Sequence, residues 1–513
     1  MNKIITPQEF GELRKNFREQ NKTVVLCHGV FDLLHYGHIE HLQEAKAQGD
    51  ILVVSVTASK FVNKGPGRPY FNDHQRMAFL SSIEFVDYVM LSEAATVHKI
   101  VEIVQPDVYV KGAEYAVAAN DVTGNISSEK EIVEKYGGHI YFTKGEVYSS
   151  TKLLNKFFGA LPENVIKESK DLRKKYGDNI FDEIRDKVES FKDLNILVVG
   201  DIIIDEYVFC TVQGLTRKDL VTSTFYDYQE TYTGGALVVA RHLANFAKKV
   251  TLLSQMGLEE DILNFINANM APVELSILQN KNFITPVKRR YLKRNNLRQE
   301  YTKLFSINRL LKQDQIERVD YSEFNKTLSE MLPQYDIVVL CDYGHGCLPD
   351  ESIRLAEQSA KFLAVNCQTN TSNYGLNVIT KYNRADTFVV DEGELNMAFM
   401  GQYLHDKADA LSKLANQLKS KYAFLTLGAN GALGITADEK SQMSAATLHV
   451  KDTVGAGDAF YALALMAAAT NMPVDCATLL GNLAAAIKTN LLGNSKPVEK
   501  VDLLKFLNTV LNV

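Results

Sequence analysis

Two histidines that lie three residues apart follow a short apolar run near the start of the chain. The run Val24–Cys27 is typical of a buried strand, Gly29 permits a tight turn, and Gly37 begins an amphipathic helical pattern. His35 and His38 are therefore expected in the loop and first helical turn, beside backbone N–H groups and the positive end of the helix dipole. Imidazoles there can donate hydrogen bonds to a triphosphate as charge builds up during phosphoryl-type transfer, without a covalent nucleophile.

Other interpretations of these histidines stay open at this point. His35, His38 and His41 follow one another at intervals of three residues, a spacing that a metal site can use. Against this, the strand-turn-helix pattern already accounts for two of the three, and no carboxylate or cysteine completes a ligand set. The first two could also be plain surface residues, as His41 is expected to be.

Two other segments of the same region could contact phosphate. NKGPGRPYFNDHQR carries Lys64, Arg68 and Arg76 on a glycine-rich loop that leads into a predicted helix near Asn72. YSSTKLLNKF puts three hydroxyl side chains at a predicted helix N-cap, where backbone N–H groups attract anions. Taken alone, the first segment is a solvated connection and the second an ordinary cap. The residues predicted to bind nucleotide or phosphate here are Gly29, Phe31, Lys64, Arg76, Ser149, Ser150 and Thr151.

The segment KDTVGAGDAF, far along the chain, combines small residues with one carboxylate. Gly455, Ala456 and Gly457 let the backbone approach an anion closely at a predicted helix N-terminus, which forms an anion hole. Asp458 follows directly and can accept the proton of a substrate hydroxyl as that hydroxyl attacks a γ-phosphate. Small residues also serve tight packing between a helix and a strand, so this segment alone is a weak signal.

Three more patterns strengthen that prediction. Asp201 and Asp205 come at the carboxyl end of a predicted strand, where carboxylates suit sugar hydroxyls. A glycine pair before the next predicted helix lets a sugar ring lie close to the backbone, and a second pair suits a turn that lines a nucleotide. These glycines are Gly234 and Gly235, and Gly428 and Gly431.

Two series of alternating strands and helices must position these residues. The first is predicted to have strands at Val24–Cys27, Ile51–Val56, Val86–Leu91, Asp107–Val110 and His139–Phe142, which is typical of a doubly wound parallel sheet. In the second the predicted strands are Ile196–Val199, Val250–Leu253, Ile337–Leu340, Phe362–Val365, Phe388–Val390 and Phe424–Leu427. Polar, alternating segments at Tyr207–Val212, Val221–Thr231 and Lys288–Arg294 predict a small antiparallel element outside that sheet.

A charged, helical stretch separates the two series. We therefore predict a first domain over residues 1–158, a helical linker over 159–193 and a second domain over 194–513. A length of 513 residues suits two or three domains, and 46% hydrophobic with 23% charged residues indicates a globular chain throughout.

The bulk composition also bears on compartment and partners. A net charge of −6 gives no general attraction to nucleic acid or to a membrane surface. The start of the chain has no apolar signal segment, and the richest apolar run, Ala459–Thr470, is too short to span a bilayer. The six cysteines have no paired spacing, which predicts reduced, packed thiols in a cytoplasmic protein.

GVFDLLHYGH, RPYFNDHQR and YSST, in this order within residues 22–156, resemble the HxGH-containing cytidylyltransferase-like superfamily. The resemblance implies that a sugar or alcohol phosphate attacks the α-phosphorus of ATP or CTP with Mg²⁺, releasing pyrophosphate. DVYVKGAEY and EKYGGHIYF are most similar to the adenylyltransferase half of bifunctional heptose 7-phosphate kinase/heptose 1-phosphate adenylyltransferases. His28 stands where that family usually has asparagine, which leaves the choice of base and substrate open.

KDTVGAGDAF and its companion patterns resemble the ribokinase-type (PfkB) carbohydrate kinases over roughly residues 194–510. TPVKRRYLKRNN and CDYGHG resemble the kinase half of the heptose enzymes, in which that half normally comes first. The implied fold class is α/β, with a Rossmann-like nucleotidyltransferase domain followed by a ribokinase-like domain with a small β lid. Kinases of this type often dimerise through that lid, so a homodimer is expected.

Four positions depart from the kinase pattern. Val238 replaces the usual asparagine after GGA, Asn366 ends a strand that usually ends in aspartate, and His345 stands where lysine is usual. The NxxE element that organises magnesium in this family is DEGE here, with Asp391 and Glu394 as the implied metal ligands. Asp391 can still hold a metal, whereas the other changes face the sugar or the nucleotide and indicate a different substrate.

These observations predict a cytoplasmic bifunctional enzyme that acts on nucleotides and phosphorylated sugars. One domain would phosphorylate a sugar or sugar phosphate with ATP, and the other would join a sugar 1-phosphate to a nucleotide for surface polysaccharide. Two alternatives stay open: a second domain that only binds ligand or dimerises, and a nucleotide-sensing regulator with neither activity. The sugar, and ATP against CTP in the first domain, are not fixed by these residues.

Overall fold

A computed structural model of the chain describes residues 3–62, 69–94, 96–112, 126–144, 161–295, 300–370, 373–400, 404–447 and 450–512. The chain divides into two compact units. The first comprises Met1–Leu161 together with Leu504–Val513, and the second comprises Pro162–Leu503.

The first unit contains a five-stranded parallel sheet with the strand order β3-β2-β1-β4-β5. Its strands are β1 (Val24–Gly29), β2 (Ile51–Thr57), β3 (Tyr88–Ser92), β4 (Val108–Lys111) and β5 (His139–Phe142). Its helices are α1 (Pro7–Glu19), α2 (Tyr36–Lys46), α3 (Asp73–Ser81), α4 (His98–Val104) and α5 (Ile126–Lys135). The first four residues of β1 are fully buried, as expected for a central strand that has helices on both faces.

Local sequence signals explain where two of these helices begin. Thr6 caps α1 and forms a capping box with Glu9, while Pro7 occupies the first helical position. Asn72 caps α3 in the same way, through a reciprocal pair of hydrogen bonds with Gln75. The predicted helix start near Asn72 is therefore confirmed.

The second unit is built on a nine-stranded sheet with the order β10-β9-β6-β13-β14-β15-β16-β17-β18, in which β17 pairs antiparallel with both β16 and β18 and the other neighbouring strands pair parallel. Its strands are β6 (Asn195–Gly200), β9 (Lys249–Met256), β10 (Glu274–Gln279), β13 (Ile337–Asp342), β14 (Leu363–Cys367), β15 (Thr387–Asp391), β16 (Tyr422–Thr426), β17 (Ala432–Ile435) and β18 (Lys440–Met443).

A separate four-stranded sheet, which we call the lid sheet, has the order β12-β11-β7-β8. It consists of β7 (Ile202–Leu215), β8 (Thr222–Gly235), β11 (Val287–Asn295) and β12 (Glu300–Arg309). β7 pairs antiparallel with β8 and parallel with β11, and β11 pairs antiparallel with β12. This sheet is the small β element that the polar, alternating segments predicted.

The remaining helices are α6 (Glu163–Tyr176), α7 (Ile180–Ser190), α8 (Ala236–Ala244), α9 (Glu260–Asn269), α10 (Gln313–Ile316), α11 (Ser322–Met331), α12 (Asp350–Ser359), α13 (Glu392–Ala398), α14 (Lys407–Gln417), α15 (Ala456–Ala469), α16 (Val474–Thr489) and α17 (Lys500–Leu511). In α15 and α16 most side chains are buried, which makes these two helices the centre of one layer of the second unit.

Helices α6 and α7 cover most of the predicted linker and belong to the second unit. Tyr176 donates a hydrogen bond to Asp475 at 2.9 Å, and Lys175 forms an ion pair with the same carboxylate at 2.8 Å. Glu168 accepts hydrogen bonds from the backbone and the hydroxyl of Ser444.

The predicted α/β fold class, with a Rossmann-like sheet followed by a ribokinase-like domain and lid, is confirmed. All six cysteines lie in the described residues, buried and unbridged.

Candidate functional site

In the first unit the strand order reverses between β1 and β4, and ligands of open α/β sheets bind beyond the carboxyl ends of strands at such a point. β1 ends at Gly29 and β4 ends at Lys111. The loop that follows β1 leads directly into α2. The predicted phosphate-binding turn therefore lies at the position that the sheet topology favours.

The two predicted catalytic histidines lie side by side at the start of α2. His35 is the N-cap residue, His38 lies in the first turn, and their ring centroids are 4.0 Å apart. The ring of Phe31 lies 5.5 Å from that of His38. A Cβ atom on Gly29 would lie 3.2 Å from the Phe31 ring, so glycine leaves room for this arrangement.

Arg76 has a different role from the predicted direct contact with phosphate. Its side chain is completely buried. All five of its N–H groups donate within the protein, to the carbonyls of Phe71, Val30 and Thr57, the Ser59 hydroxyl and the Asp73 carboxylate. This guanidinium therefore holds the loops after β1 and β2 in place and has no donor left for a ligand.

His28 lies at the end of β1 between two hydroxyl groups of β2. Its Nδ1 is 3.2 Å from the Ser55 hydroxyl and its Nε2 is 3.4 Å from the Thr57 hydroxyl. Burial, with a smaller contribution from the charge of Lys111, lowers the pKa of His28 to about 3. The ring is therefore neutral at physiological pH, as the asparagine usual at this position would be.

The expectation that His41 is an ordinary surface residue is wrong. Its side chain is half-buried, and Nδ1 lies 3.2 Å from the hydroxyl of Thr143, the residue that follows β5. Burial lowers the pKa of His41 to about 4. No group of three or more His, Cys, Asp or Glu residues in the described part of the chain could hold a metal ion.

The sequence reasoning did not identify Lys111 as a site residue. Its ammonium forms an ion pair with Glu129 at 2.6 Å, and both side chains are largely buried. The positive charge of Lys111 lowers the pKa of both His28 and His41, so it acts on the same edge of the sheet as these rings. A lysine that ends a buried strand in DVYVKG was the signal that could have revealed it.

Four predicted phosphate-binding residues lie outside the described residues, and their role stays a prediction: Lys64, Ser149, Ser150 and Thr151.

In the second unit the strand order reverses between β6 and β13. Asp201 directly follows β6, and its buried carboxylate accepts the backbone N–H groups of Tyr343, His345 and Cys347 at 2.9–3.0 Å. Burial, reinforced by the charge of Asp342, raises the pKa of Asp201 to about 6 against the effect of these three donors. Asp201 thus holds the loop after β13, and its predicted contact with sugar stays a prediction.

Asp458 lies in the first turn of α15, next to this loop. Its carboxylate accepts hydrogen bonds from the Tyr343 hydroxyl at 2.8 Å and from the Gln368 amide at 3.4 Å. Burial raises the pKa of Asp458. Gly455 caps α15 with φ +80°, and a Cβ atom there would lie 2.2 Å from Asn494 Oδ1, so only glycine suits this turn.

Asp205 projects from β7 and forms a buried ion pair with Arg290 of β11. A Cβ atom on Gly234 would lie 2.4 Å from the Asp205 carboxylate, so this glycine lets β8 pass close to it. A Cβ atom on Gly235, where φ is +59°, would lie 2.4 Å from the carbonyl oxygen of Asp201. The predicted aspartates and glycines thus come together at one place.

Two cationic side chains that the sequence analysis did not name as site residues also belong to this cluster. Arg290 pairs with Asp205, as described above, and Lys288 lies nearby on the same strand. Burial lowers the pKa of Lys288, while the charges of Asp205, Asp201 and Asp458 act in the opposite direction. The run KRR in β11 was the available signal, because alternating positions in a strand share one face.

His345 and Asn366 are buried at two of the positions that depart from the kinase pattern. His345 is 2% exposed, and burial lowers its pKa to about 3. Its Nε2, like the side-chain oxygen of Asn366, has no hydrogen-bond partner in the described part of the chain. Val238 is buried within α8.

Asp391 and Glu394 form a capping box at the start of α13. Asp391 Oδ1 accepts the Glu394 N–H at 2.8 Å, and Glu394 accepts the N–H groups of Asp391 and Thr369 at 2.9 and 3.2 Å. Burial, followed by the charge of Asp391, raises the pKa of Glu394 to about 8. Asp391 is exposed at the end of β15.

The turn between β16 and β17 borders a cavity of about 760 Å³. Gly428 and Gly431 give this turn its left-handed conformations, with φ +57° and +90°. The residues between them line the cavity, as do Pro162 and Asn164 at the start of α6. The predicted nucleotide-lining turn thus borders a cavity to which the predicted linker also contributes.

Residues 193–500 match the pfkB family of carbohydrate kinases. The chain belongs to this family. Residues 26–156 match the cytidylyltransferase-like family, in the domain order that the sequence predicted. No helix in the described ranges is long and apolar enough to cross a membrane.

Curated relatives match the N-terminal part of the chain. The bifunctional protein HldE of Koribacter versatilis is 36% identical over 157 residues, which cover 30% of this chain and 31% of that protein. The bifunctional protein HldE of Pseudomonas fluorescens is 41% identical over 125 residues, covering 24% and 25%. The chain therefore spans less than a third of the length of these relatives.

Among solved structures, a mutant of phosphofructokinase-2 from Escherichia coli covers 62% of this chain and 99% of its own, with 16% identity and a TM-score of 0.49. A ribokinase from Thermotoga maritima covers 61% and 99%, with 20% identity and a TM-score of 0.46.

Replacing Arg76 with methionine should destabilise the first unit by about 3–5 kcal/mol, because one carboxylate and three carbonyls lose a buried charged partner. Urea unfolding of the full chain, followed by circular dichroism, measures this loss. Arg18→Met is the matched control, since Arg18 is exposed on α1 and its removal should change stability by less than about 0.5 kcal/mol. Equal stability of the two variants would contradict the role assigned to Arg76.

His28 should make the stability of the first unit depend on pH. The folded-state pKa is about 3 against 6.5 in the unfolded chain, so only the unfolded state takes up a proton as pH falls from 6.5 towards 3. The contribution of neutral His28 to the free energy of unfolding is complete well above pH 6.5, and about 1.4 kcal/mol of that free energy is lost at pH 5.5. Between pH 8 and 5.5 the free energy of unfolding, measured with urea, should therefore fall by about 1.4 kcal/mol less in His28→Asn than in the wild type. Parallel loss in both proteins would refute this assignment.

Proposed function

We propose that the chain is a bifunctional sugar-activating enzyme. The first unit would transfer a nucleotidyl group from ATP or CTP to a sugar 1-phosphate, and the second would phosphorylate a sugar or sugar phosphate with ATP. The observation that carries the proposal is the position of Asp458 in the first turn of α15, beside a glycine-rich helix N-terminus and a cluster of carboxylates and cations. The two family matches, in series on one chain, support the pairing.

In the kinase reaction, Asp458 would act as the general base. Its carboxylate accepts the proton of the substrate hydroxyl while the hydroxyl oxygen attacks the γ-phosphorus of ATP and ADP leaves. The raised pKa of Asp458 makes it a better proton acceptor than an exposed aspartate. The backbone of Gly455, Ala456 and Gly457 would stabilise the charge on the transferred phosphoryl group. Lys288 and Arg290 supply positive charge for a phosphate already on the sugar.

In the nucleotidyl transfer, an oxygen of the sugar 1-phosphate would attack the α-phosphorus and pyrophosphate would leave. His35 and His38 would donate hydrogen bonds to the phosphate oxygens, and the N-terminus of α2 would add its dipole. Arg76 contributes by holding the loop that carries these histidines. The neutral His28 and the charged Lys111 lie at the same edge of the sheet and suit contacts with base or sugar.

Both reactions would use Mg²⁺, which in the second unit would be held by Asp391 with Glu394. Carboxylate oxygens are suitable ligands, and Asp391 Oδ2 accepts no hydrogen bond in the described part of the chain. The raised pKa of Glu394, about 8, keeps this carboxyl mostly protonated at neutral pH before an ion binds, so the exposed Asp391 would make the first contact with the ion. The donor set therefore fits an ion that keeps several waters. When bound, the ion neutralises charge on the phosphate oxygens.

The substrate is proposed as a sugar related to, but different from, heptose. Three residues are altered at positions that the family resemblance assigns to the sugar or the nucleotide, and two of them bury polar atoms that have no partner among the described residues: His345 and Asn366. Such atoms reject a substrate that leaves them without a hydrogen bond. The product would be a nucleotide-activated sugar for surface polysaccharide, made in the cytoplasm by a domain of residues 1–158 joined through residues 159–193 to a kinase domain of 194–513.

The two reactions should be separable by single substitutions. Asp458→Asn should lower ATP-dependent phosphorylation by roughly 10²- to 10⁴-fold through loss of the general base, with pyrophosphate release unchanged. His38→Ala should lower pyrophosphate release by roughly 10²- to 10³-fold and leave the kinase reaction intact. Both are measured on the full chain with a panel of sugars and sugar phosphates. A wild type that phosphorylates none of them would refute the kinase activity and leave a binding or dimerising domain.

We also propose a homodimer that forms through the lid sheet. Half of the strongly exposed large apolar side chains in the described residues belong to this sheet and its turns: Leu215, Leu220, Val221, Phe225, Tyr226, Tyr228, Phe305 and Ile307. Exposed apolar surface of this extent is typical of an interaction site. Sedimentation velocity should give about twice the mass of one chain, and Phe225→Asp with Ile307→Asp should give the monomer. A monomeric wild type at micromolar concentration would contradict this proposal.

A further inference from the structure

One lysine of the second unit is completely buried at the end of a largely buried helix. Lys488 lies in the last turn of α16 and is among the largest fully buried side chains of the chain. Burial of an ammonium group is costly unless oxygen atoms replace its water. The partners of Lys488 therefore indicate what the group is for.

Its ammonium group contacts two separate loops through backbone oxygens. Nζ donates to the carbonyl of Val454 at 2.9 Å and to the carbonyl of Gly493 at 2.5 Å. Val454 directly precedes Gly455, the cap of α15, and Gly493 lies in the loop after α16. The lysine thus joins the loop that begins the anion hole to the loop beside it.

The carboxylate of Asp452 binds the same two residues through their backbone N–H groups. Asp452 accepts the N–H of Val454 at 3.1 Å and the N–H of Gly493 at 2.9 Å. Both peptide segments are therefore held by an anion on their N–H groups and by a cation on their carbonyls. Carbonyl oxygens that converge next to a carboxylate are the surroundings that proteins offer to a bound cation.

The ammonium group also lies directly behind the anion hole. A Cβ atom on Gly455 would lie 3.1 Å from Lys488 Cε. Burial lowers the pKa of Lys488 to about 8, and the charges of Asp452, Asp458 and Asp205 act in the opposite direction. At neutral pH the group is therefore mostly charged, and it acts on the helix N-terminus at which phosphate would bind.

We propose that Lys488 is a built-in cation that holds the anion-hole loop in its phosphate-binding conformation, in the place that a free monovalent cation would otherwise take. It is a positioning residue, because it touches the loop and not the substrate. The inference rests on the proposed kinase activity and adds that phosphoryl transfer here does not depend on potassium or ammonium ions.

The test compares Lys488→Ala, which leaves space for an ion, with Lys488→Met, which fills that space without charge. Melting temperature and ATP-dependent phosphorylation of the full chain are measured in potassium, ammonium, methylammonium and tetramethylammonium chloride at equal ionic strength. The melting temperature and activity of the wild type should be the same in all four salts. Lys488→Ala should lose on the order of 10²-fold in activity in tetramethylammonium and recover at least about tenfold in potassium, ammonium or methylammonium. Lys488→Met should lose as much and not recover.

The two readouts separate this inference from the proposed function. If no sugar is phosphorylated by the wild type, a melting temperature of Lys488→Ala that rises with the small cations still supports the cation role. The cation role is overturned if the activity and melting temperature of Lys488→Ala are the same in all four salts. If Lys488→Ala does not fold, the wild type decides: higher activity or melting temperature in potassium than in tetramethylammonium overturns the inference, and equal values support it.

Discussion

The second unit depends on one buried carboxylate that is satisfied by backbone. Asp201 accepts three N–H groups of the loop after β13, and its own backbone bonds Cys341 in β13 and Ala236 at the start of α8. Two strands and a helix are therefore joined at the point where the sheet order reverses. Tyr343, which Asp201 positions through its N–H, in turn reaches Asp458. The geometry of the proposed phosphoryl transfer follows from this one group.

In the first unit, the buried side chain of Arg76 corresponds to Asp201 but carries the opposite charge. Arg76 donates to the carbonyls of Val30, directly after β1, and Thr57, the last residue of β2, whereas Asp201 accepts from N–H groups. In each unit a buried ion is paired with peptide dipoles at the carboxyl edge of a parallel sheet, where the backbone leaves its regular hydrogen bonding. A buried charge with all its bonds made is costly to move. The residues proposed to meet substrate can then come from short loops and still be held firmly.

Much of the fold could be predicted from sequence because its signals are local. The buried run Val24–Cys27, the cap at Asn72 and the glycine turn before Asp458 each depend on near neighbours in the chain. Strands β10, β12, β17 and β18 were not predicted, since they are short or polar and are defined by their partners in the sheet.

The roles of individual charged residues were harder to predict, because they depend on distant contacts. Arg76 and Asp201 have the residue types of ligand-binding groups, and only their tertiary partners reveal that they bind backbone instead. Lys111 and Lys488 occur in strand and helix patterns where a lysine is normally solvated. What distinguishes them is complete or near-complete burial, which no periodicity in the sequence records.

The cavity beside Gly428 and Gly431 has a consequence for how the chain can be divided. Pro162 and Asn164 line it, and Glu168 of α6 accepts a hydrogen bond from Ser444, which lines the same cavity. The charged stretch is thus part of a wall and not a free tether. A polypeptide beginning at residue 194 would lack that wall, so a fragment cut there would not reproduce the cavity at which the nucleotide is proposed to bind.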